Sequence, residues 1–366
     1  MEQRDDECGR RRTRRRPEWR TAVVALVVAG VVAVGCSDDD TRTNGDGRVR
    51  AELGSVTSVV EELRPSVVAV AFAVGDQQGA GSGVIVREDG VIVTNAHVVG
   101  PAVAAAQSAG TGAAEVEVLM ADGTRMVATV EAVDIVTDLA VLRVDRRDLP
   151  AAVLADSFPE VGELAVAIGN PLGFDNTVTA GIISGLQRSL PDELTGGSQA
   201  LVDLIQTDAA ISPGNSGGAL VNADAEVVGI TVAYVPPAFG AVSLGFAIPA
   251  PTVSAVVESL LEDGRVDHVY LGVQVVALTP QVADRFDMAV RRGVVVIEAE
   301  SGAPAAAAGV RSGDVITEVG EVAVEDVGDL LTQLRRFAPG DTVQLIVQRN
   351  GQQLGLEAEL AARPID

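Results

Sequence analysis

The stretch Gly214-Asn215-Ser216-Gly217-Gly218-Ala219-Leu220 places one serine among three glycines, directly before an apolar run. Glycine allows a backbone to turn sharply and to bring its N–H groups close to a ligand. A serine on such a turn becomes a nucleophile when an imidazole accepts its proton and nearby N–H groups stabilise the developing oxyanion. On its own the stretch is also typical of an ordinary turn, so its meaning depends on the rest of the chain.

Two further segments contain the groups that a serine nucleophile requires. Thr94-Asn95-Ala96-His97-Val98-Val99 contains one of the chain's two histidines, and Thr137-Asp138-Leu139-Ala140-Val141-Leu142 places an aspartate before an apolar run. A carboxylate holds an imidazole in the tautomer that can accept the serine proton. We therefore predict His97 as the general base, Asp138 as its orienting acid and Ser216 as the nucleophile.

The turn around the serine is the predicted oxyanion hole. It comprises Gly214, Asn215 and Ser216, with the N–H groups of Gly214 and Ser216 as the expected donors. Asp134 competes with Asp138 for the orienting role, since both precede the same strand. Because Asp138 opens the apolar run, Asp134 is predicted to be a solvated loop residue.

The serine turn also fits the G-x-S-x-G pattern of α/β-hydrolases. In that fold the acid and the histidine follow the serine in the chain, and a helix follows the nucleophile. Here the histidine after Ser216 is His268, at a domain boundary, and a hairpin-like run around 222–224 follows the serine. The hydrolase alternative is therefore disfavoured.

The body of the chain consists of short runs rich in valine and isoleucine, separated by Gly, Asp and Asn, which predict strands. The predicted strands are Val67–Val74, Gly83–Val86, Val91–Thr94, Val116–Leu119, Met126–Val133, Leu139–Val144, Leu164–Ile168, Thr177–Leu186, Ala219–Val221, Val227–Ala233 and Leu244–Ile248. Many short strands and few helical patterns predict a mainly β fold, either a barrel or a sandwich. The clearest helix is predicted at Pro251–Leu261, at the end of the first domain.

Together these motifs resemble the HtrA (Deg) family of trypsin-like serine proteases. Framework segments similar to the family recur at Gly81–Val86, Ala167–Pro171, Gln206–Ile211 and Gly245–Pro249. The resemblance implies a trypsin-like double six-stranded β-barrel at 55–264, followed by a smaller α+β PDZ domain at 265–366. It also implies the triad roles given above and a homotrimer built through the protease domains.

The segments similar to a bacterial PDZ domain are Tyr270–Val273, Gly293–Val296, Ala303-Pro304, Gly309-Val310 and Gly313–Ile316. The resemblance implies that a peptide C-terminal carboxylate binds the turn formed by Tyr270, Leu271, Gly272 and Val273. The peptide is then expected to add as a strand, with a helix at Asp326–Phe337 as the wall of the groove. Asn350-Gly351 predicts a hairpin turn between the last two strands. A domain that only packs is the alternative.

The specificity pocket is predicted to be apolar. In trypsin an aspartate six residues before the nucleophile selects basic side chains, and this chain has Ala210 there. Ile211 matches a family position that lines the primary pocket, and the alternative is that it is simply a core residue. With Thr231, Val232, Ala233 and Tyr234, it is expected to accept small or medium aliphatic side chains.

Residues 1–36 are predicted to be an export signal. An arginine-rich block precedes an apolar run, Ala22–Gly35, which is shorter than the roughly 20 residues of a spanning helix. The run ends Ala33-Val34-Gly35-Cys36, similar to a bacterial lipoprotein signal, so Cys36 is the predicted lipidation site. An uncleaved membrane anchor, a twin-arginine signal and a fortuitous cysteine are the alternatives. Residues 37–54 are predicted to be a flexible linker.

The composition argues against several classes of function. The formal net charge is −24, and all 27 basic residues are arginine, which disfavours a nucleic-acid partner. Cys8 and Cys36 both lie near the N-terminus, so the body of the chain contains no cysteine for a disulfide or a metal site. No metal or other cofactor is predicted.

The resemblance implies a membrane-anchored serine endopeptidase on the extracytoplasmic side of a bacterial cell envelope. It is expected to cleave unfolded or mislocalised proteins through an acyl-enzyme, and to bind peptide C-termini at its PDZ domain. The alternative is a catalytically idle chaperone or peptide-binding protein.

Overall fold

The computed structural model describes residues 56–364, apart from 75–76, 171–176, 191–199, 235–243 and 286–287. The predicted export signal, the lipidation site at Cys36 and the linker at 37–54 lie outside the described residues. Within the described part of the chain, no helix is both long enough and apolar enough to cross a membrane.

Six strands close into the first barrel in the order β1-β2-β3-β6-β5-β4. The helical residues 56–63 (α1) and a 3-10 turn at Arg64–Ser66 lead into it. The strands are β1 (Val67–Val74), β2 (Gln77–Arg87), β3 (Val91–Thr94), β4 (Glu115–Leu119), β5 (Arg125–Asp134) and β6 (Leu139–Arg143). Helix α2 (Ala96–Ala109) joins β3 to β4, and its buried residues pack on the barrel's own core.

Six further strands close into the second barrel in the order β10-β11-β12-β9-β8-β7. They are β7 (Leu164–Gly169), β8 (Thr177–Leu190), β9 (Leu201–Thr207), β10 (Ala219–Val221), β11 (Val227–Tyr234) and β12 (Gly245–Pro249). Helix α3 (Ala250–Asp263) follows and buries Val253, Val256, Val257 and Leu260 in a core cluster that draws residues from both barrels. The two barrels are therefore joined by a shared apolar core.

The C-terminal domain contains a sheet of strand order β14-β15-β16-β18-β19, with β17 paired to β16, and a separate two-stranded pair, β13-β20. Its strands are β13 (Val269–Tyr270), β14 (Val273–Ala277), β15 (Val294–Ala299), β16 (Val315–Val319), β17 (Val322–Ala323), β18 (Thr342–Arg349), β19 (Gln352–Glu359) and β20 (Ala361–Ala362). Its helices are α4 (Pro280–Arg285), α5 (Pro304–Ala308) and α6 (Val327–Leu334).

Helix α6 packs on its own sheet and also on β8 and β9 of the second barrel. The approach is close, since a Cβ added at Gly328 would lie 2.2 Å from Ser189 Oγ. Arg335, which caps the C-terminus of α6, donates to the carbonyls of Val202 at 3.3 Å and of Val136 at 3.1 Å. The C-terminal domain is thus docked on the barrels through polar contacts as well as packing.

The predicted mainly β fold, with two six-stranded barrels and a smaller sheet domain, is confirmed. The predicted helices at Pro251–Leu261 and Asp326–Phe337 correspond to α3 and α6. Asn350 and Gly351 have φ of 49° and 78°, as a tight hairpin turn requires. The predictions missed α2, because this helix is rich in small apolar residues and lacks a clear polar face. They also missed strand β9.

Candidate active site

His97 lies in the first turn of α2, and Asp138 supplies acceptors for the start of that helix. Asp138 Oδ1 accepts the His97 backbone N–H at 2.9 Å, and the Asp138 carbonyl accepts the Ala96 N–H at 3.1 Å. Helix N-termini leave N–H groups without partners in the helix, and they favour negative charge. The same helix start therefore positions both the histidine and its acid.

The imidazole of His97 and the carboxylate of Asp138 are hydrogen bonded directly, with 2.7 Å between Nδ1 and Oδ2. Because an ionised carboxylate can only accept, Nδ1 carries the proton, and Nε2 of the neutral ring keeps its lone pair. The His97 side chain is 45% exposed and that of Asp138 is 13% exposed. The imidazole of His97 therefore faces solvent, with the less exposed Asp138 carboxylate behind it, as the predicted general-base role requires.

Asp138 sits in a turn that Asp134 holds together. The φ of Asp138 is 58°, in the left-handed region that few residues other than glycine adopt. Asp134 accepts hydrogen bonds from the N–H groups of Val136 and Thr137 and, at 2.5 Å, from the Thr137 hydroxyl. The prediction that Asp134 is a solvated loop residue is wrong, because it is only 6% exposed. Its carboxylate instead stabilises the turn that presents Asp138.

Asp134 also pairs with His268, which lies between the barrels and the C-terminal sheet. His268 Nε2 lies 2.8 Å and 2.9 Å from the two carboxylate oxygens of Asp134. Burial raises the pKa of Asp134, but the hydrogen bonds and charge of His268, with the Thr137 hydroxyl, lower it below its usual value of 3.8. The sequence placed His268 at a domain boundary, yet nothing in its spacing indicated this partner.

Ser216 lies on the turn that leads into β10, and backbone bonds fix that turn. The Asn215 N–H donates to the Ser212 carbonyl at 3.0 Å, and the Gly218 N–H donates to the Asn215 carbonyl at 2.8 Å. Gly217 has a φ of 84°, and a Cβ there would lie 2.1 Å from a backbone carbonyl of β2. Glycine at 217 is therefore required both by its conformation and by this close approach.

The Ser216 hydroxyl donates to the Val232 carbonyl at 3.1 Å. The structure thus joins His97 to Asp138, whereas the hydroxyl of Ser216, the predicted nucleophile, is bonded to β11 and not to His97. Val232 lies at a β-bulge, where the pairing of β11 with β12 shifts register between Thr231 and Ala233. Bulges commonly aim groups at active sites. Catalytic hydrogen bonds are often loose without substrate, and rotation about the serine Cα–Cβ bond redirects the hydroxyl.

The residues of the predicted oxyanion hole differ in whether their backbone N–H groups already have a hydrogen-bond acceptor. Within the described part of the chain, the N–H groups of Gly214 and Ser216 have no hydrogen-bond acceptor. The carbonyl of Asn215 is held by the Thr231 hydroxyl at 2.6 Å, so peptide planarity fixes the Ser216 N–H in the opposite direction. The Asn215 N–H is already used and its side chain is 1% exposed. The backbone N–H of Asn215 is therefore not free for an oxyanion, whereas its buried side-chain amide has no hydrogen-bond partner among the described residues.

The residues predicted to line the specificity pocket are mostly buried. Ile211 is 7% exposed and packs in the apolar cluster of the second barrel, where a Cβ at Gly245 would come within 2.7 Å of it. Thr231 is fully buried and its hydroxyl bonds to the serine turn, so its side chain braces that turn. Val232 contributes its carbonyl, while its side chain lies in the core. The side chains of Ala233 and Tyr234 lie outside the described residues.

The predicted carboxylate-binding turn of the C-terminal domain has its carbonyls turned inward. The Leu271 carbonyl accepts the Ala305 N–H at 2.9 Å, and the Gly272 carbonyl accepts the Glu300 N–H at 3.0 Å. Peptide planarity directs the N–H groups of Gly272 and Val273 the other way. Tyr270 donates its hydroxyl to Glu300. Strand β14 follows at the edge of the described sheet, where a peptide strand can pair.

Within the described residues, no group of three or more His, Cys, Asp or Glu side chains is arranged to hold a metal ion.

Comparison with known proteins identifies the class that this fold and site define. Residues 81–230 match the family model of the trypsin-like peptidase domain, and residues 269–360 match that of the PDZ domain. The solved structure of the HtrA-type protease AlgW with a decapeptide has a TM-score of 0.66 and 34% sequence identity. The match covers 85% of this chain and 99% of the AlgW chain. The chain belongs to the HtrA family of trypsin-like serine proteases with a PDZ domain.

Two curated relatives are similar over most of this chain. HhoB of Synechocystis sp., which carries a serine-protease name, is 41% identical over 282 residues, or 75% of this chain and 64% of the relative. A DegP-like protein of Halomonas elongata, named as a periplasmic serine endoprotease, is 40% identical over 278 residues, or 76% of this chain and 55% of the relative. The chain thus spans between about half and two thirds of the length of these relatives.

Proposed function

We propose that this protein is a serine endopeptidase that cleaves unfolded or mislocalised proteins through an acyl-enzyme. The observation that carries the proposal is the His97–Asp138 pair, at 2.7 Å, in a fold whose glycine turn presents Ser216. Ser216 Oγ attacks the scissile carbonyl, His97 Nε2 accepts its proton, and Asp138 holds the imidazole in the required tautomer. The N–H groups of Gly214 and Ser216 stabilise the oxyanion.

An apolar specificity pocket is part of the proposal. Ala210 stands where a trypsin-like site has its acidic selector, and the neighbouring Ile211 contributes apolar surface. Together with the 231–234 segment of β11, it favours small or medium aliphatic side chains in the substrate.

The C-terminal domain is proposed to bind peptide C-termini on the turn at 270–273, with the peptide pairing along β14. The orientation of the Leu271 and Gly272 carbonyls supports this role, because it leaves two N–H groups for a carboxylate. The similar AlgW protease was solved with a decapeptide, which is consistent with peptide recognition in the family.

An extracytoplasmic location is supported by the arginine-rich block, the apolar run and Cys36 of the sequence, and by relatives named as periplasmic. We propose that Cys36 carries a lipid anchor and that the protease domains form a trimer. Mass spectrometry of the mature N-terminus tests the anchor. Light scattering of the purified protein tests the trimer.

A catalytically idle peptide-binding protein is the alternative function, and the chain's similarity to proteins named as serine proteases and endoproteases does not favour it. The Ser216 hydroxyl is bonded to Val232 instead of His97. Incubation with unfolded casein, with and without peptides that occupy the PDZ groove, separates the two functions. Cleavage that Ser216→Ala abolishes supports the protease. Absence of cleavage under every condition, with peptide binding retained, supports the idle binding protein.

A further inference from the structure

Ser82, on β2 of the first barrel, lies in the interface with the nucleophile turn of the second barrel. It is fully buried and takes part in four hydrogen bonds, as donor in two and as acceptor in two. Its hydroxyl donates to the Gly214 carbonyl at 2.8 Å and accepts the Asn170 N–H at 2.7 Å. Its own N–H donates to the Ser216 carbonyl at 2.8 Å. Ser82 therefore holds the carbonyl of the 214–215 peptide, which lies between the two predicted oxyanion donors, and the carbonyl of the 216–217 peptide, which follows them.

The hydroxyl of Ser82 has a task that its backbone cannot perform. A hydroxyl is one donor and an acceptor, and here both capacities are used by backbone groups of the second barrel. Gly214 has a φ of 95° and no side chain, so its flanking peptides have few other restraints on their orientation. The peptide between residues 214 and 215 is fixed at its carbonyl by Ser82 and at its N–H by Ser212.

Ser82 also connects the nucleophile turn to the strand that precedes the general base. The Thr94 hydroxyl donates to the Ser82 carbonyl at 2.6 Å, and Thr94 lies three residues before His97. The Gly217 backbone is pressed against this same carbonyl. The position of the nucleophile relative to the base therefore depends on contacts that converge at Ser82.

We infer that Ser82 is a positioning residue for the oxyanion hole, holding the 214–216 backbone through its hydroxyl. The inference rests on the proposed protease function and adds a residue that does not touch the substrate. Loss of the hydroxyl leaves the partly buried Gly214 carbonyl and the buried Asn170 N–H without this partner, and the backbone shifts to satisfy them. The peptide between residues 214 and 215 joins the two peptides that carry the Gly214 and Ser216 N–H groups. A change in its orientation therefore alters the backbone angles that aim both donors at the reacting carbonyl.

The test compares wild type with Ser82→Ala, Ser82→Cys and a matched control, Thr207→Val. Cysteine keeps the shape of the side chain with a larger sulfur atom in place of the oxygen, and it offers only a weak donor. Thr207 is likewise fully buried, and its hydroxyl bridges the Ile182 carbonyl and the Ala209 N–H, neither of which belongs to the serine turn. The measurements are kcat and KM on a short peptide substrate, and the affinity for a peptide boronate that forms a tetrahedral adduct at the nucleophile.

We expect Ser82→Ala to lower kcat by about 10- to 100-fold, a fraction of the loss seen on removing an oxyanion donor. KM should change little, and boronate affinity should fall in proportion to kcat/KM. Ser82→Cys should be intermediate, and Thr207→Val should keep the wild-type values. If Ser82→Ala does not fold, Ser82→Cys alone must show the same split between kcat and KM.

The outcomes separate this inference from the proposed function. A wild-type protein that neither cleaves substrate nor binds the boronate overturns the protease itself. An active wild type, with Ser82 variants that keep kcat within about twofold or that lose no more activity than Thr207→Val, overturns the positioning role alone.

Discussion

The Asp134 carboxylate accepts a hydrogen bond from His268 Nε2 at 2.8 Å, across 134 positions of the chain. The same carboxylate holds the Thr137 hydroxyl, next to Asp138. Arg335 of the C-terminal domain reaches the Val136 carbonyl in this turn. The turn that presents Asp138, the proposed catalytic acid, is therefore contacted by the domain that is proposed to bind peptides.

Removal of the Asp134 carboxylate should destabilise the protein and loosen the Asp138 turn. Asp134→Ala leaves the Thr137 hydroxyl, two backbone N–H groups and His268 without this acceptor in a buried site. We expect a loss of about 1–3 kcal/mol in the free energy of unfolding, measured by urea denaturation. The matched control is Asp224→Ala, at an exposed carboxylate. Equal stabilities for the two variants would contradict a structural role for Asp134.

The contribution of Asp134 should also depend on pH. Its folded pKa lies below 3.8, so its stabilising effect is complete above that value and is lost as the pH falls through the folded pKa. The gap in unfolding free energy between wild type and Asp134→Asn should therefore narrow from about pH 5 to about pH 2. A gap that widens on acidification would mean that the pKa of Asp134 is raised instead.

Arg335 should couple the C-terminal domain to the turn at residues 134–138. Burial lowers the pKa of its guanidinium, against the opposing charges of Asp203 and Asp134. Arg335→Met removes both bonds to the barrels while keeping the length of the side chain. We expect faster hydrogen exchange at 134–138 and at 201–203, measured by mass spectrometry. Arg336→Met is the control, since Arg336 is exposed. Equal hydrogen-exchange rates in both variants would contradict a role for Arg335 in this coupling.

Gly272→Asp should abolish peptide binding and peptide-stimulated cleavage, while basal hydrolysis of a short substrate stays nearly unchanged. A peptide that couples to the protease should change activity by about 5- to 150-fold, for a coupling of 1–3 kcal/mol. Gly272 has a φ of 71°, and a Cβ there would lie 2.2 Å from the Ala303 Cβ, so the variant also strains the domain. Gly313→Asp is the matched control, because Gly313 has a φ of 87° with open space around it. Stimulation that survives lost peptide binding would show that the domain only packs or tethers substrate.

Much of the fold could be predicted because each motif carries its own local signal. Short valine-rich runs, the turn at Asn350-Gly351 and the glycines around Ser216 report on backbone geometry over a few residues. The order of His97, Asp138 and Ser216 then indicated the family. These signals did not depend on knowing which distant segments meet.

The remaining features depend on contacts between segments far apart in the chain. Asp134 resembled a solvated loop residue because its partner His268 lies in another part of the sequence. Ser82 resembled framework because its partners, Gly214 and Asn170, approach it only when the two barrels close. Thr231 is predicted to line a pocket because of its position in the sequence. The sequence around it does not reveal that its hydroxyl donates to the Asn215 carbonyl.

Covalent labelling by a fluorophosphonate, read by mass spectrometry of the modified peptide, tests whether Ser216 is an activated nucleophile. This reagent requires a serine activated by a base beside an oxyanion hole. We expect a single adduct on Ser216, its disappearance in Ser216→Ala, and strongly slowed labelling in His97→Ala, with both variants folded. Absence of an adduct on Ser216 in folded wild-type protein that is incubated with a PDZ-binding peptide would contradict the proposed catalytic role of this serine.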